Sequence, residues 1–463
     1  MGLKLNLIWV LGVVLGLVWF TGVEPALAET SLLDQVVTAQ SAADTSFLLS
    51  CSGLVLFMTV GLAFFYGGFV ARRNILNTLM MNFVALGLVA VVWVLWGYSL
   101  AFAPGNPFIG GLQWAFLQGV GLETSGYLQG SAPESMLSYA PTIPHQGFMV
   151  YQAMFAVITP ALISGAIVER TNFKAYCLFL VLWLTCIYCP LAHMVWAKGG
   201  FLNPTGMFKA MDFAGGLVVH TSSGIAALVA ALVIGSRRTY PERVSPPHNV
   251  PFILLGAGLL WYGWFGFNAG SALASGPLAV SAFVTTNTSA AMGMLTWLFL
   301  EQVLRGKPTT VGAATGVVVG LVGITPSAGF VSPLSALAIG CIAAIACFFA
   351  INLKVQMGID DSLDTFPVHG VGGIVGTILT GVFASQAING IGANGLLLGN
   401  PYQLIIQIGA LALTILFAAV GTFILLKLIQ AIVPLRLEAG AELQGLDLSE
   451  HGEQGYGDDR FER

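Results

Sequence analysis

Along this chain apolar residues run in long uninterrupted blocks. They do not alternate with polar ones at the period of a half-buried strand or a surface helix. A block of about 20 apolar residues is long enough to cross a bilayer as a helix. Such blocks fall at 46–70, 78–102, 145–168, 175–196, 213–235, 250–272, 278–303, 309–328, 332–353, 366–386 and 402–432, which predicts eleven transmembrane helices. The polar punctuation is short except in two places. Residues 103–144, rich in Gly, Pro and Ser, read as a long external loop. Beyond residue 434, Glu438, Glu442, Asp447, Glu450, Glu453, Asp458 and Asp459 make an acidic, Gly-rich tail, either flexible or docked on the cytoplasmic face. Ahead of the first block, residues 1–28 carry one charge, Lys4, then the apolar run Leu7 to Phe20, then Ala26-Leu27-Ala28. That is the layout of a secretory signal peptide, the alternative being an uncleaved first helix. The pattern divides the chain into a signal peptide (1–28) cleaved before Glu29, an external segment (29–45), a membrane domain (46–433) and a cytoplasmic tail (434–463).

Composition sharpens this picture. Charged residues make up 8% of the 463 positions, against roughly a quarter in soluble globular proteins, so an ordinary soluble enzyme is excluded. The net charge of −4 and the lack of a long basic run exclude nucleic acid as a partner. The basic residues also orient the helices, because short cytoplasmic loops carry the excess of Lys and Arg. Arg72, Arg73, Arg170, Lys174, Arg237, Arg238, Arg243, Arg305, Lys307, Lys354, Lys427, Arg436, Arg460 and Arg463 fall on one side, while Lys198 and Lys209 fall on the other. The mature N-terminus is therefore expected outside and the tail in the cytoplasm, in a bacterial inner membrane. Cys51, Cys177, Cys186, Cys189, Cys341 and Cys347 all lie in apolar segments, where packing is favoured over a disulfide or a metal role.

An internal repeat points at the centre of the domain. Val219-His220-Thr-Ser-Ser-Gly224-Ile225 in the fifth span and Val368-His369-Gly-Val-Gly-Gly373-Ile374 in the tenth share V-H-x-x-x-G-I. Tyr66-Gly67-Gly-Phe69 similarly resembles Tyr262-Gly263-Trp-Phe265. Spans one to five then repeat as six to ten, and an odd number of spans per half makes the two halves inverted in the membrane. Helices five and ten become symmetry mates, with their histidines near mid-membrane and close together. A histidine at that depth usually faces a cavity or a partner; the bland alternative is an imidazole satisfying a backbone carbonyl. Two adjacent buried imidazoles do not readily both carry charge. Such a pair suits hydrogen bonding to a small polar molecule or relaying a proton. A metal site is disfavoured, because no third His, Cys or carboxylate falls near them and H-E-x-x-H is absent. Asp212, Asp360, Asp361 and Asp364 sit at helix ends, where carboxylates cap backbone N–H groups more often than they bind substrate. Trp196, Tyr151 and Phe155 lie near external helix ends and Ser271 closes the sixth span. They read either as an interfacial aromatic belt or as a cage whose rings attract a small cation.

The strings Phe155-Ala-Val-Ile-Thr-Pro-Ala-Leu-Ile-Ser-Gly-Ala, Asp212-Phe-Ala-Gly-Gly-Leu-Val-Val-His220, Trp264-Phe-Gly-Phe-Asn-Ala-Gly-Ser271 and Asp360-Asp-Ser-Leu-Asp-Thr-Phe-Pro-Val-His369 resemble the ammonium transporter family, Amt/MEP/Rh, on its Amt branch, across about residues 46–455. The resemblance implies an all-α membrane protein with inverted five-helix repeats, a final eleventh helix and a pore in each subunit of a homotrimer. It implies a transporter and not an enzyme, without a cofactor or metal. Trp196, Phe155, Ser271 and Tyr151 would form the external ammonium site, and Phe155 with Phe267 would gate the pore. His220 and His369 would be the pore histidines and proton relay. Asp212 and Asp361 would support the site structurally. The tail segment Gly445 to Glu453 resembles the family's cytoplasmic tail, where PII-type signal proteins act. The proton released by ammonium is expected to follow separately, making transport electrogenic. The rivals are an electroneutral NH3 or CO2 channel and an ammonium sensor signalling through the tail.

Overall fold

The computed structural model describes residues 32–123, 139–242 and 245–457, so the signal peptide expected at 1–28 lies outside the described residues. The chain divides into two units, Met1–Gln40 and Ser41–Arg463, and the second holds the membrane domain. The long helices are α1 (Leu32–Phe69), whose first nine residues belong to the first unit, α2 (Arg72–Phe102), α3 (His145–Ile167), α4 (Phe173–Trp196), α5 (Gly216–Ile234), α6 (Val250–Gly270), α7 (Pro277–Arg305), α8 (Thr310–Ile324), α9 (Pro333–Gln356), α10 (Phe366–Phe383) and α11 (Pro401–Gln430). Two short helices follow in the tail, α12 (Ala439–Gln444) and α13 (Leu446–His451). Among the described residues, ten of these are long and apolar enough to cross a membrane. In the loop after α2 a minimal hairpin pairs Gly105–Asn106 with Ile109–Gly110.

Three boundaries differ from the sequence reading. Helix α1 begins at Leu32, where the apolar pattern places its start at 46, because helical geometry tolerates the polar turns that precede the apolar block. The span expected at 309–328 stops at Ile324 and holds 15 residues, about 22 Å of helix against a hydrocarbon core of about 30 Å. Thr325 still has helical backbone, but Pro326 after it has no N–H to donate into the helix and cannot continue the hydrogen-bond ladder. The Pro326 carbonyl is then free to accept the Phe213 N–H at 3.0 Å, tying the α8 break to the segment before α5. The third difference concerns the repeated Tyr-Gly strings. Tyr66 is buried and donates from its hydroxyl to the Leu162 carbonyl at 3.0 Å, whereas Tyr262 is 59% exposed. These tyrosines do not occupy equivalent environments.

The histidine repeat has a structural counterpart. Gly224 of α5 lies against the Gly370 backbone, and a Cβ there would meet Gly370 N. Gly373 of α10 lies against Thr221 N in the same way. In the matched strings Gly224 corresponds to Gly373 and Thr221 to Gly370, so the contact is reciprocal, as a two-fold axis demands. Only glycine lets the helices approach this closely, and the approach brings His220 and His369 together. Both helices open with a widened π turn, Gly216–Thr221 in α5 and Phe366–Val371 in α10.

At the far end of the bundle from Trp196, the basic loops and the tail interlock. Arg170 is fully buried and donates to the Gly235, Ala166, Val168 and Asp360 carbonyls, satisfying helix C-termini that have no intrahelical donor. Arg237 bridges Glu169 at 2.6 Å and Asp360 at 2.7 Å. The tail is docked on this end. Asp447 accepts the Asn77 N–H at 2.9 Å, Glu450 accepts the Phe173 N–H at 2.8 Å and Glu442 pairs with Arg436 at 2.7 Å. Burial alone would raise the Glu169 and Asp360 carboxyls, but the Arg237 charge and hydrogen bonds hold both below the usual carboxylate range. A depressed carboxyl contributes stability that is present above its unfolded value, near pH 4, and lost as pH falls through the folded value. The melting temperature of detergent-solubilised protein should therefore drop between about pH 5 and pH 3. Arg237→Gln should be less stable at neutral pH and show a shallower acid drop; an equal acid drop in both would contradict the assignment.

Candidate functional site

The residues singled out in the sequence come from four helix ends and two helix interiors. Trp196 closes α4, and its Nε1 donates to the Asp212 carbonyl at 3.0 Å, which fixes the indole against the segment leading into α5. The Asp212 carboxylate is wholly occupied by backbone. Its Oδ1 accepts from Gly215 and Gly216 at 2.8 and 2.6 Å, and its Oδ2 from Leu217 and Val218 at 2.8 and 3.2 Å. These are the orphan donors of the α5 N-terminus, where a negative charge also meets the positive end of the helix dipole. Asp361 stands in the same relation to α10, accepting from Thr365 at 3.1 Å and Phe366 at 2.7 Å. Each carboxylate lies eight residues before its histidine. Asp361 belongs to the tail end of the bundle, away from Trp196.

A cavity of about 250 Å³ opens beside Trp196 and is lined by Phe148, Gln152, Phe155, Trp196, Phe213 and Ser271 among others. Phe155 forms its floor, edge-on to Trp196 with ring centroids 5.9 Å apart. The Ser271 hydroxyl donates to the Phe267 carbonyl at 2.8 Å, which leaves its lone pairs to accept from a ligand. Gln152 was not singled out in the sequence. Its side chain reaches this wall, and its Oε1 is buried without a hydrogen-bond partner among the described residues. Tyr151 is fully buried and does not line the cavity; its hydroxyl lies 2.8 Å from the Phe267 carbonyl it donates to and 3.2 Å from Ser271 Oγ. It therefore ties α3 to α6 behind the wall and holds Ser271 in place.

Beneath the cavity Phe155 and Phe267 stack face to face at 4.2 Å. Below them lies a chamber of about 10 Å³ whose walls are Met58, Leu62, Ile158, Val219, Leu260, Trp264 and neighbouring apolar residues, with His220 and His369 as its polar members. The two imidazoles face each other with Nδ1 atoms 3.2 Å apart. An Nδ1–Nδ1 hydrogen bond requires one ring to be protonated at Nδ1 and the other at Nε2. His220 stacks on Trp264 at 5.4 Å, a support invisible in the sequence, and its Nε2 faces the chamber without a hydrogen-bond partner among the described residues. The arrangement is a polar, aromatic cavity, a pair of stacked rings and an apolar chamber bearing one hydrogen-bonded pair of imidazoles. No group of three or more His, Cys, Asp or Glu side chains able to hold a metal occurs among the described residues.

Known proteins share this architecture. The family model of the Ammonium Transporter Family matches residues 46–456. An ammonium transporter of Bacillus subtilis is 47% identical over 416 residues, covering 90% of this chain and 98% of its own. The crystal structure of Candida albicans Mep2 superposes with a TM-score of 0.80 at 34% identity, covering 92% of this chain and 93% of that one. A structure described as a sensor Amt protein matches with a TM-score of 0.78 at 26% identity, over 89% and 99% of the two chains.

Proposed function

This chain belongs to the ammonium transporter family, and from that premise we propose how its residues carry ammonium across the membrane. It is a multi-pass membrane transporter for ammonium and not an enzyme. Ammonium enters the cavity beside Trp196, where the faces of Trp196 and Phe155 each attract the cation by roughly 0.5 to 2 kcal/mol. Ser271 accepts one of its N–H bonds, and the Trp196–Asp212 contact keeps the indole in position. Tyr151 acts as a positioning residue through Ser271. Rotation of the stacked Phe155 and Phe267 rings admits the substrate to the chamber.

Selectivity follows from the dryness of that chamber. A bare ion loses its hydration there without replacement, at a cost of several kcal/mol or more. Potassium has no way around that cost. Ammonium can surrender a proton and cross as neutral NH3, with His220 and His369 offering a donor and an acceptor in the lumen. We assign the proton to a separate passage along the imidazole pair, which makes net transport electrogenic. The observation that carries this reading is the Nδ1–Nδ1 pair held in an otherwise apolar chamber beneath an aromatic plug. The reading further places the cavity outside and the docked tail in the cytoplasm of a bacterial inner membrane, with signal peptide 1–28 removed. It includes a homotrimer, and a PII-type signal protein acting at the tail.

Reconstituted protein in proteoliposomes should give a saturable current on addition of ammonium, a smaller one with methylammonium and none with K+. Ammonium uptake without current would replace electrogenic transport with a neutral gas channel. A folded protein showing neither would favour a sensor, a role suggested by the sensor relative and by a tail docked on helix ends.

A further inference from the structure

Among the described residues, Lys198 is the one charged side chain that lines the aromatic cavity. The polar groups around it, Gln152, Asn203, Thr205 and Ser271, are neutral. The Asp212 carboxylate is engaged by backbone N–H groups and does not line the cavity. Lys198 is also anchored. Its backbone N–H donates to the Tyr139 hydroxyl at 3.4 Å, and its Nζ lies 5.9 Å from the centre of the Tyr139 ring. Lys198 is exposed, and its partial burial pulls its ammonium group below the ordinary lysine value.

A fixed cation at the mouth of a cation-binding cavity opposes recruitment. A unit charge about 10 Å away alters the occupancy of a second charge about twofold in water-like surroundings and more than tenfold in protein-like ones. We propose that Lys198 sets the apparent affinity of the cavity: its positive charge at the mouth raises the ammonium concentration needed for half-saturation and weakens the entry of any monovalent cation by the same factor. Discrimination between ammonium and K+ is left to the Ser271 hydroxyl, which accepts from a hydrogen-bond-donating ion and gains nothing from K+. The proposal rests on the cavity being the recruitment site.

The test is initial-rate transport in proteoliposomes for the native chain, Lys198→Gln, Lys198→Glu, Lys198→Arg and Trp196→Ala. The half-saturating ammonium concentration should fall about threefold in Lys198→Gln and further in Lys198→Glu, with the maximal rate little changed, while Lys198→Arg stays native. The inhibition constant of K+ should fall by the same factor, leaving its ratio to the ammonium half-saturation unchanged. Raising ionic strength with a large, non-permeant cation should lower half-saturation in the native protein and leave Lys198→Gln flat, because screening removes the repulsion. Unchanged half-saturation in Lys198→Gln and Lys198→Glu overturns the proposal, as does a shift in Lys198→Arg equal to that in Lys198→Gln, which would indicate packing. Trp196→Ala separates the two readings: native half-saturation there would mean that the cavity is not the recruitment site.

Discussion

Asp212→Ala should abolish ammonium uptake, and it should do so by destabilising the protein. The substitution leaves four backbone N–H groups at the start of α5 without acceptors, all of them buried. Each unsatisfied buried donor costs about 1–3 kcal/mol, so the total is comparable with the whole stability margin of a typical domain. The widened turn that these bonds hold carries His220, and the Asp212 carbonyl receives the Trp196 indole, so both cavity and chamber lose their frame. Asp212→Asn keeps one carbonyl oxygen and should fall between native and Ala. Thermal melts and size-exclusion profiles in detergent, run beside uptake assays, check the prediction. An Ala protein that stays monodisperse with native stability and still transports would remove the structural role from Asp212.

The second large effect is expected at the histidine pair, with the opposite signature. His220→Ala or His369→Ala breaks the Nδ1–Nδ1 hydrogen bond and leaves the surviving ring in an apolar chamber. Loss of a hydrogen bond worth about 1.4 kcal/mol to the crossing step slows it tenfold, so ammonium current should fall by about that factor or more. The helices should still pack, because Gly224 and Gly373 carry the close contact between α5 and α10. Replacement by Asp places an acidic oxygen in the lumen and should decouple ammonium selectivity from conduction. Native current and native ammonium selectivity in both Ala proteins would refute the role of the pair in the pore. Retained folding with lost current separates this outcome from that of Asp212→Ala.

The contrast between the two aspartates and the two histidines shows which features were readable before any coordinates. Hydrophobic blocks are a one-dimensional property of lipid-spanning helices, so the spans and the V-H-x-x-x-G-I repeat could be read directly. Helix-end carboxylates follow a local rule as well, since the four donors Asp212 satisfies lie within six residues of it. Phe155 and Ser271 stood out as members of a cation cage, but the pairing of Phe155 with Phe267 came only through family resemblance, because no local rule says which aromatic rings at helix ends will stack. The Tyr66 and Tyr262 strings show the limit of short matches: similar letters lie in dissimilar surroundings.

The sequence by itself determined a polytopic helical membrane protein, its spans and the pairing of α5 with α10, because a bilayer leaves backbone polar groups no solution other than helices and makes buried histidines conspicuous. Tertiary structure decided the rest. The Trp264 face under His220, the unpartnered Gln152 oxygen, the retreat of Tyr151 behind the cavity wall and the place of Lys198 on its lining all arise from contacts between segments far apart in the chain. Such contacts depend on helix rotation and depth, and hydropathy, being nearly uniform around these helices, carries no information about either.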